Sequence, residues 1–389
     1  MVDKSLQPYY IIIMEKRLDV AKIHEAMGRA GLNQAQVADK LGVSRAIVSS
    51  WLKGQKYPRP DKLLKLGLAL NLGFQDIVQK TYQSSAPVVA FRKKRNRKTT
   101  ELHLSHAQEI GLLLEQLVPY FPFNGLFLPP ILKAPALDYN YIQKAASSIR
   151  SDLGVKIESP IKFEQIIKKL NEYEVVLIPV LHGQKEHHEN ALHIFLPSSK
   201  STWIFLNLDS KIHDFKFWMA HELGHVLTPS LRGEDAEDFA DAFAQALLFP
   251  IEQAQNAYNQ LKQHDSKKTQ IVLILNLANS LIISPITIYM AINAYAQHEG
   301  LPILKLDPDI YVATTGMNKQ HATVSESLNH GKPFAAAAFI AMTKKLFGSP
   351  IFDTLKIYLS ENEKGPGFIQ AILETSIIDS KEIHAELVK

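Results

Sequence analysis

The chain has 389 residues, 46% of them hydrophobic and 21% charged, enough for two or three domains with apolar cores. Lys and Arg number 43 against 39 Asp and Glu, so a net charge of +4 makes any basic surface local rather than global. With no cysteine, disulfides, thiolate metal sites and a nucleophilic Cys are excluded. Tyr9 to Met14 is too short for a secretory signal and lacks a cleavage site, so the expected compartment is the cytoplasm.

The first predicted elements are helices. One runs from about Asp19 to Ala30 and ends at Gly31. Asn33 to Gly54 then has the pattern of two short helices joined by a tight turn. Asn33 can cap the first, Ala38 leaves room for close packing, and Gly42 permits the turn. Ser44 caps the second, with Val48 and Trp51 facing inward and Arg45, Ala46, Ser49 and Lys53 outward. Pro58 and Pro60 precede an amphipathic helix over Asp61–Leu70. Residues 14–80 hold 12 Lys or Arg against 6 Asp or Glu, a surplus suited to phosphates. The segment resembles an XRE-type (lambda-repressor-like) helix-turn-helix domain. On that basis DNA is a partner, with Gln34, Ser44, Arg45, Ala46, Ser49 and Lys53 as the contacting residues. Gln34 suits a backbone phosphate and Arg45 a guanine edge. A helical bundle used for protein pairing is the alternative.

Residues 81–140 read as a linker. Gln83 to Pro87 breaks the periodicity, and Arg92 to Lys98 carries six positive charges, either a solvated joint or an added phosphate contact. A helix at 105–117 and a Pro-rich passage at 119–135 follow. A second module, 141–298, opens with helices at 141–153 and 162–171, then strands at 175–181, 191–196 and 202–206. Trp203–Leu206 is expected as a sheet edge able to pair with an extended peptide. His182, His187, His188 and His193 form either a polar hairpin loop or the source of a transition-state donor, with His187 or His188 as candidates.

A helix from Asp214 carries Ala220-His221-Glu222-Leu223-Gly224-His225. Histidines four residues apart share a helical face and can ligate one metal ion; Glu222, about 100° further round, is placed to take a proton from metal-bound water. Zinc lowers the pKa of such a water from about 15.7 to about 7. Phe215, Phe217, Trp218, Met219, Leu223, Val226 and Leu227 mark a buried helix, where two imidazoles and a carboxylate need partners. A catalytic zinc takes three protein ligands. In the next helical pattern Ala236, Ala240, Phe243, Ala244 and Leu247 form an apolar arc that contains Glu237, which makes Glu237 the candidate third ligand. Asp241, one turn on, can hydrogen-bond a ligating histidine.

Together, Lys216-Phe217, the His221–His225 motif, Glu237-x-x-Ala240-Asp241-x-Phe243-Ala244 and Leu247-Leu248-Phe249-Pro250 resemble the ImmA/IrrE family of metallopeptidases. Lys216, Asp241 and Phe249 stand where that family has Arg, Asn and Met; none of the three removes a ligand. The resemblance implies a small zincin-like α+β domain, Zn2+ as cofactor and cleavage of a partner protein, in such families often a DNA-binding repressor of stress or mobile-element genes. The expected fold class is therefore α+β and multidomain: an all-α helix-turn-helix domain, a zincin-like metallopeptidase domain and a helical C-terminal extension at 299–389. Two other readings stay open: a regulator whose zincin-like domain senses a ligand or partner without cutting, and a toxin–antitoxin component. A homodimer is also left open.

Ile271–Ala296 has no charge, but Asn276, Asn279, Ser280, Ser284, Thr287 and Asn293 interrupt it. Ser284-Pro285 reads as a cap and first-turn proline, so two buried helices are expected rather than a membrane span. Beyond residue 300, 333–347 and 351–359 read as helices and Gly365-Pro366-Gly367 as a turn. This tail is a sensor, a dimerisation element or a substrate platform.

Overall fold

A computed structural model describes residues 17–53, 58–79, 88–91, 101–122, 131–181, 191–330 and 335–389. It divides the chain into two compact units, with the boundary near residue 84.

In the smaller unit, β1 (Arg17–Leu18) pairs antiparallel with β2 (Val78–Gln79), closing the start of the unit onto its end. Between them lie α1 (Val20–Arg29), α2 (Gln34–Leu41), α3 (Arg45–Leu52), α4 (Pro60–Leu70) and α5 (Phe74–Ile77). Asn33 forms a capping box: its Oδ1 accepts from the Ala35 and Gln36 amides at 3.0 Å, and Gln36 Oε1 accepts from the Asn33 amide at 2.9 Å. Gly42 takes φ 61°, a left-handed conformation that costs any other L-residue energy. Ile23, Val37, Ala38, Leu41, Val48, Trp51, Leu63 and Leu66 form the core. Lys62 Nζ donates to the Leu41 carbonyl at 2.9 Å, satisfying an end of α2 and fastening α4 to it.

The larger unit contains a four-stranded sheet in the order β3 (Val88–Phe91), β5 (Ala191–Leu196), β6 (Ser201–Asn207), β4 (Val176–Val180). β4 and β6 are parallel; the other pairs are antiparallel. The sheet corrects two expectations. Trp203–Leu206 is no edge: β6 is hydrogen-bonded on both sides, its seven residues all buried, because an apolar run without alternation suits an interior strand. And Val88–Phe91, expected in a linker, is a strand of the sheet.

Helices pack around the sheet and on one another: α6 (Glu101–Leu117), α7 (Tyr139–Asp152), α8 (Phe163–Glu172), α9 (Ile212–Leu227), α10 (Gly233–Leu248), α11 (Ile251–Leu261), α12 (Lys267–Leu281) and α13 (Pro285–His298), with α6, α8, α9 and α10 against the strands, α7 on α10, and α11 and α12 on α13. Strand alternation places Ile204 and its partner His193 toward α9, while Trp203 turns to the opposite face and meets Phe121 just after α6, ring centroids 4.8 Å apart. The 299–389 segment is no separate extension. Its helices α14 (Asp309–Gln320), α15 (Val324–Leu328), α16 (Ala336–Phe347), α17 (Ile351–Glu361), α18 (Pro366–Leu373) and α19 (Ile377–Leu387) share one apolar core with the rest of the unit, from Ile110 to Leu387. Tyr358 donates to Gln116 at 2.6 Å, and Asn171 to the Phe347 carbonyl at 2.9 Å. Residues 141–298 therefore do not close a core by themselves. Gly365-Pro366-Gly367 starts a helix rather than making a turn, since proline at the first helical position gives up no hydrogen bond.

α12 and α13 meet at a bend of 113°. α13 is buried along most of its length, whereas α12 buries only the side bearing Ile274 and Ala278. Among the described residues no single helix is long and apolar enough to cross a membrane.

Candidate functional site

α9 is buried on almost every side, with His221, Glu222 and His225 only 1%, 4% and 6% exposed. Its N-terminal half is fixed by Lys216, whose Nζ donates to the Leu281 carbonyl at the end of α12 (2.6 Å) and lies 5.0 Å from the Phe163 ring. Burial pushes this ammonium down to about 8, against the pull of Glu164. Behind the motif, Gly224 lets α10 come close: a Cβ built there would stand 3.0 Å from Ala240 Cα and 3.3 Å from the Phe243 ring. Gly224→Ala should therefore destabilise the fold by about 1–3 kcal/mol through overpacking. The gain of about 1 kcal/mol in helix propensity offsets part of that, and because the nearest atom is the Ala240 backbone, which cannot swing aside, the net is destabilising; a urea midpoint checks the sign.

The close approach of α9 and α10 brings His221, His225 and Glu237 together. The two Nε2 atoms are 3.0 Å apart; Glu237 Oε1 is 3.4 Å from His225 Nε2, and Oε2 is 3.5 Å from His221 Nε2. A tetrahedral ion with bonds of about 2.0–2.1 Å needs donors roughly 3.4 Å apart, so this triangle has the right size. Asp241 Oδ1 lies 2.8 Å from His221 Nδ1. With Nδ1–H donating to that carboxylate, Nε2 is the atom turned toward the triangle. Glu222 Oε2 and Glu237 Oε2 are buried with no hydrogen-bond partner among the described residues. Orphaned carboxylate oxygens beside two imidazoles are a donor set that fits a divalent cation.

The electrostatics follow from burial and neighbours. Burial resists a charge on His221, but the carboxylates of Asp241 and Glu237 outweigh it and raise its pKa to about 9. Burial, with His221 and His193 alongside, drives His225 well below the ordinary histidine range. Burial raises Glu237, against the pull of His221.

One residue of the site lies outside the expected set. His193, buried in β5, places Nδ1 3.3 Å from Glu222 Oε2, and its ring meets that of His225 at 5.5 Å. The other three histidines of that cluster, His182, His187 and His188, fall outside the described residues. The available signal was positional: His193 falls inside a predicted strand, where a buried imidazole needs a polar partner, whereas the sequence pattern puts the other three before that strand.

On the smaller unit, Arg45, Ala46 and Lys53 are exposed and Ser49 half-buried, on the side of α3 opposite the buried Val48 and Trp51. Ser44 is used as the cap, its Oγ accepting from the Ile47 amide at 3.4 Å. Gln34 is half-buried at the start of α2. Ile47, 39% exposed, is an apolar group on the same helix that the reading of the sequence passed over. Residues 23–77 match a protein-family model described as Helix-turn-helix. This segment is a helix-turn-helix domain. It gives the chain the character of a DNA-binding regulator. No curated protein and no solved structure matched the chain. The basic run Arg92–Lys98 lies outside the described residues. Arg45→Ala should cost about 1–3 kcal/mol on DNA selected from a random pool and relax one base position, whereas Lys53→Ala should lower the salt slope by about 1 on every sequence. Binding titrations at several salt concentrations check both.

Proposed function

We propose that this chain is a DNA-binding regulator that also hydrolyses a partner protein at a zinc centre of zincin-like type. His221, His225 and Glu237 hold the ion, and Glu222 is the general base. When bound, zinc supplies Lewis acidity toward water and toward a peptide carbonyl. The remaining chemistry belongs to the chain. Glu222 Oε2, buried and without a hydrogen-bond partner among the described residues, accepts a proton and returns it to the leaving amine. His193, 3.3 Å away, limits where that carboxylate can swing. Asp241 holds His221 in the tautomer that presents Nε2.

The observation that carries the reading is the convergence of two buried imidazoles and a half-buried carboxylate within 4.8 Å of one another, beside a second acid, the buried Glu222, that is no member of the set. The resemblance to ImmA/IrrE metallopeptidases assigns the same residues. A repressor acting near the same operator is the first candidate substrate, because the helix-turn-helix domain would bring the site to it. The test is metal analysis of the purified chain, joined to a search for a co-expressed protein that shortens. The expected result is one zinc per chain and a shortened partner; a chain that takes up no zinc when loaded overturns the reading.

A further inference from the structure

β5 carries His193 and has two long sides. One is paired with β6; the other with Val88–Phe91, in the register Val88↔Phe195, Val89↔Ile194, Ala90↔His193, Phe91↔Leu192. Val88–Phe91 itself also packs against α10, the helix of Glu237. It therefore runs along the side of the sheet nearest the candidate centre, with Ala90 opposite the histidine that approaches Glu222. Without β3, this side of β5 would be a row of unpaired backbone N–H and C=O groups next to the centre, the arrangement that captures an extended peptide by strand addition.

We propose that Val88–Phe91 occupies, in cis, the peptide-binding edge of the proposed peptidase, so that a substrate must displace the chain's own strand to reach Glu222. The inference rests on the peptidase reading above. Three features support it. The occupant is short, four residues, so its ladder is small enough for a longer peptide to compete with. It is antiparallel to β5, the orientation a hairpin-like addition takes without a crossover. And it follows the helix-turn-helix domain in sequence with only residues 80–87 between them, so events at DNA are covalently linked to the strand that fills the edge.

Neighbouring N–H groups of a strand point to opposite sides, so of Val89→Pro and Ala90→Pro one must delete a ladder donor to β5. Both are made in the full, zinc-loaded chain and assayed on a mixed-sequence library of quenched fluorescent peptides. At least one is expected to hydrolyse the library ten times faster or more than the unsubstituted chain, and Glu222→Gln in the same background to abolish the gain. Hydrolysis at equal rates by all three chains overturns the inference and leaves the peptidase standing. If no chain hydrolyses, the peptidase reading is struck and amide exchange decides the edge. Those amides of residues 191–196 that point toward Val88–Phe91 should then lose protection at least tenfold in the proline variant and regain it when the library is added, while those bonded to β6 stay protected. Unaltered protection, or no recovery with peptide, overturns the inference.

Discussion

Glu222→Gln is expected to leave the zinc content of the chain unchanged and to slow cleavage of its partner by about 10²–10⁴-fold, the usual contribution of a general base. The substitution is close to isosteric in a pocket where the side chain is 4% exposed, so the fold should survive. What changes is chemistry: an amide oxygen is far too weak a base to hold a transferred proton. The proposed zinc donors are His221, His225 and Glu237, so metal analysis separates loss of the base from loss of the ion. A variant that still shortens its partner at the normal rate removes Glu222 from the role. Set beside His221→Ala, the same substitution also tests a regulator that cuts nothing: there Glu222→Gln preserves regulation in cells while His221→Ala does not.

Local periodicity carried much of this site into view. The four-residue spacing of His221 and His225 is a property of one helix, and Glu237 stood out because an acid interrupts an apolar arc; both need only the helical repeat. The helix-turn-helix was readable for the same reason, with Asn33, Gly42 and Ser44 marking ends that backbone chemistry demands. What could not be read depends on pairing between distant segments. β5 is bounded by Val88–Phe91 on one side and β6 on the other, a choice of partners that strand alternation does not encode. The tail past residue 300 gave no chemistry because its work is support. Ser325 donates from its amide to the Leu208 carbonyl at 2.7 Å and from its hydroxyl to Asp209 at 2.6 Å, and Lys211 donates to the His321 carbonyl at 2.8 Å, bracing the loop that leads into α9. Lys216, which the sequence showed only as standing where the resembled family has Arg, is likewise a buried strut to α12.

Zinc affinity should climb steeply with pH, because the ion must evict a proton. In the metal-free chain His221 titrates at about 9, held there by Asp241 and Glu237 against the cost of burial, while burial keeps His225 uncharged. Near pH 7 His221 is thus protonated, and loading the site releases about one proton per ion. Affinity is expected to rise about tenfold per pH unit up to that pKa and then to level off. Calorimetry in buffers of different ionisation enthalpy measures the proton count directly. The stability of the metal-free chain should move the other way. The folded pKa of His221 exceeds its unfolded value of 6.5, so the folded state holds the extra proton in between. That contribution is complete below pH 6.5 and is lost as pH rises toward 9, by at most about 1.4 kcal/mol per pH unit. Asp241→Asn removes the charge nearest Nδ1 but keeps an acceptor. It should therefore lower the His221 pKa, reduce the proton release and flatten the pH dependence. Asp241→Ala should cost zinc affinity about 10–100-fold, and Glu237→Gln, which alters a ligand itself, more than that. Zinc binding that is flat between pH 6 and 8, with no proton released, would mean that His221 does not face the ion.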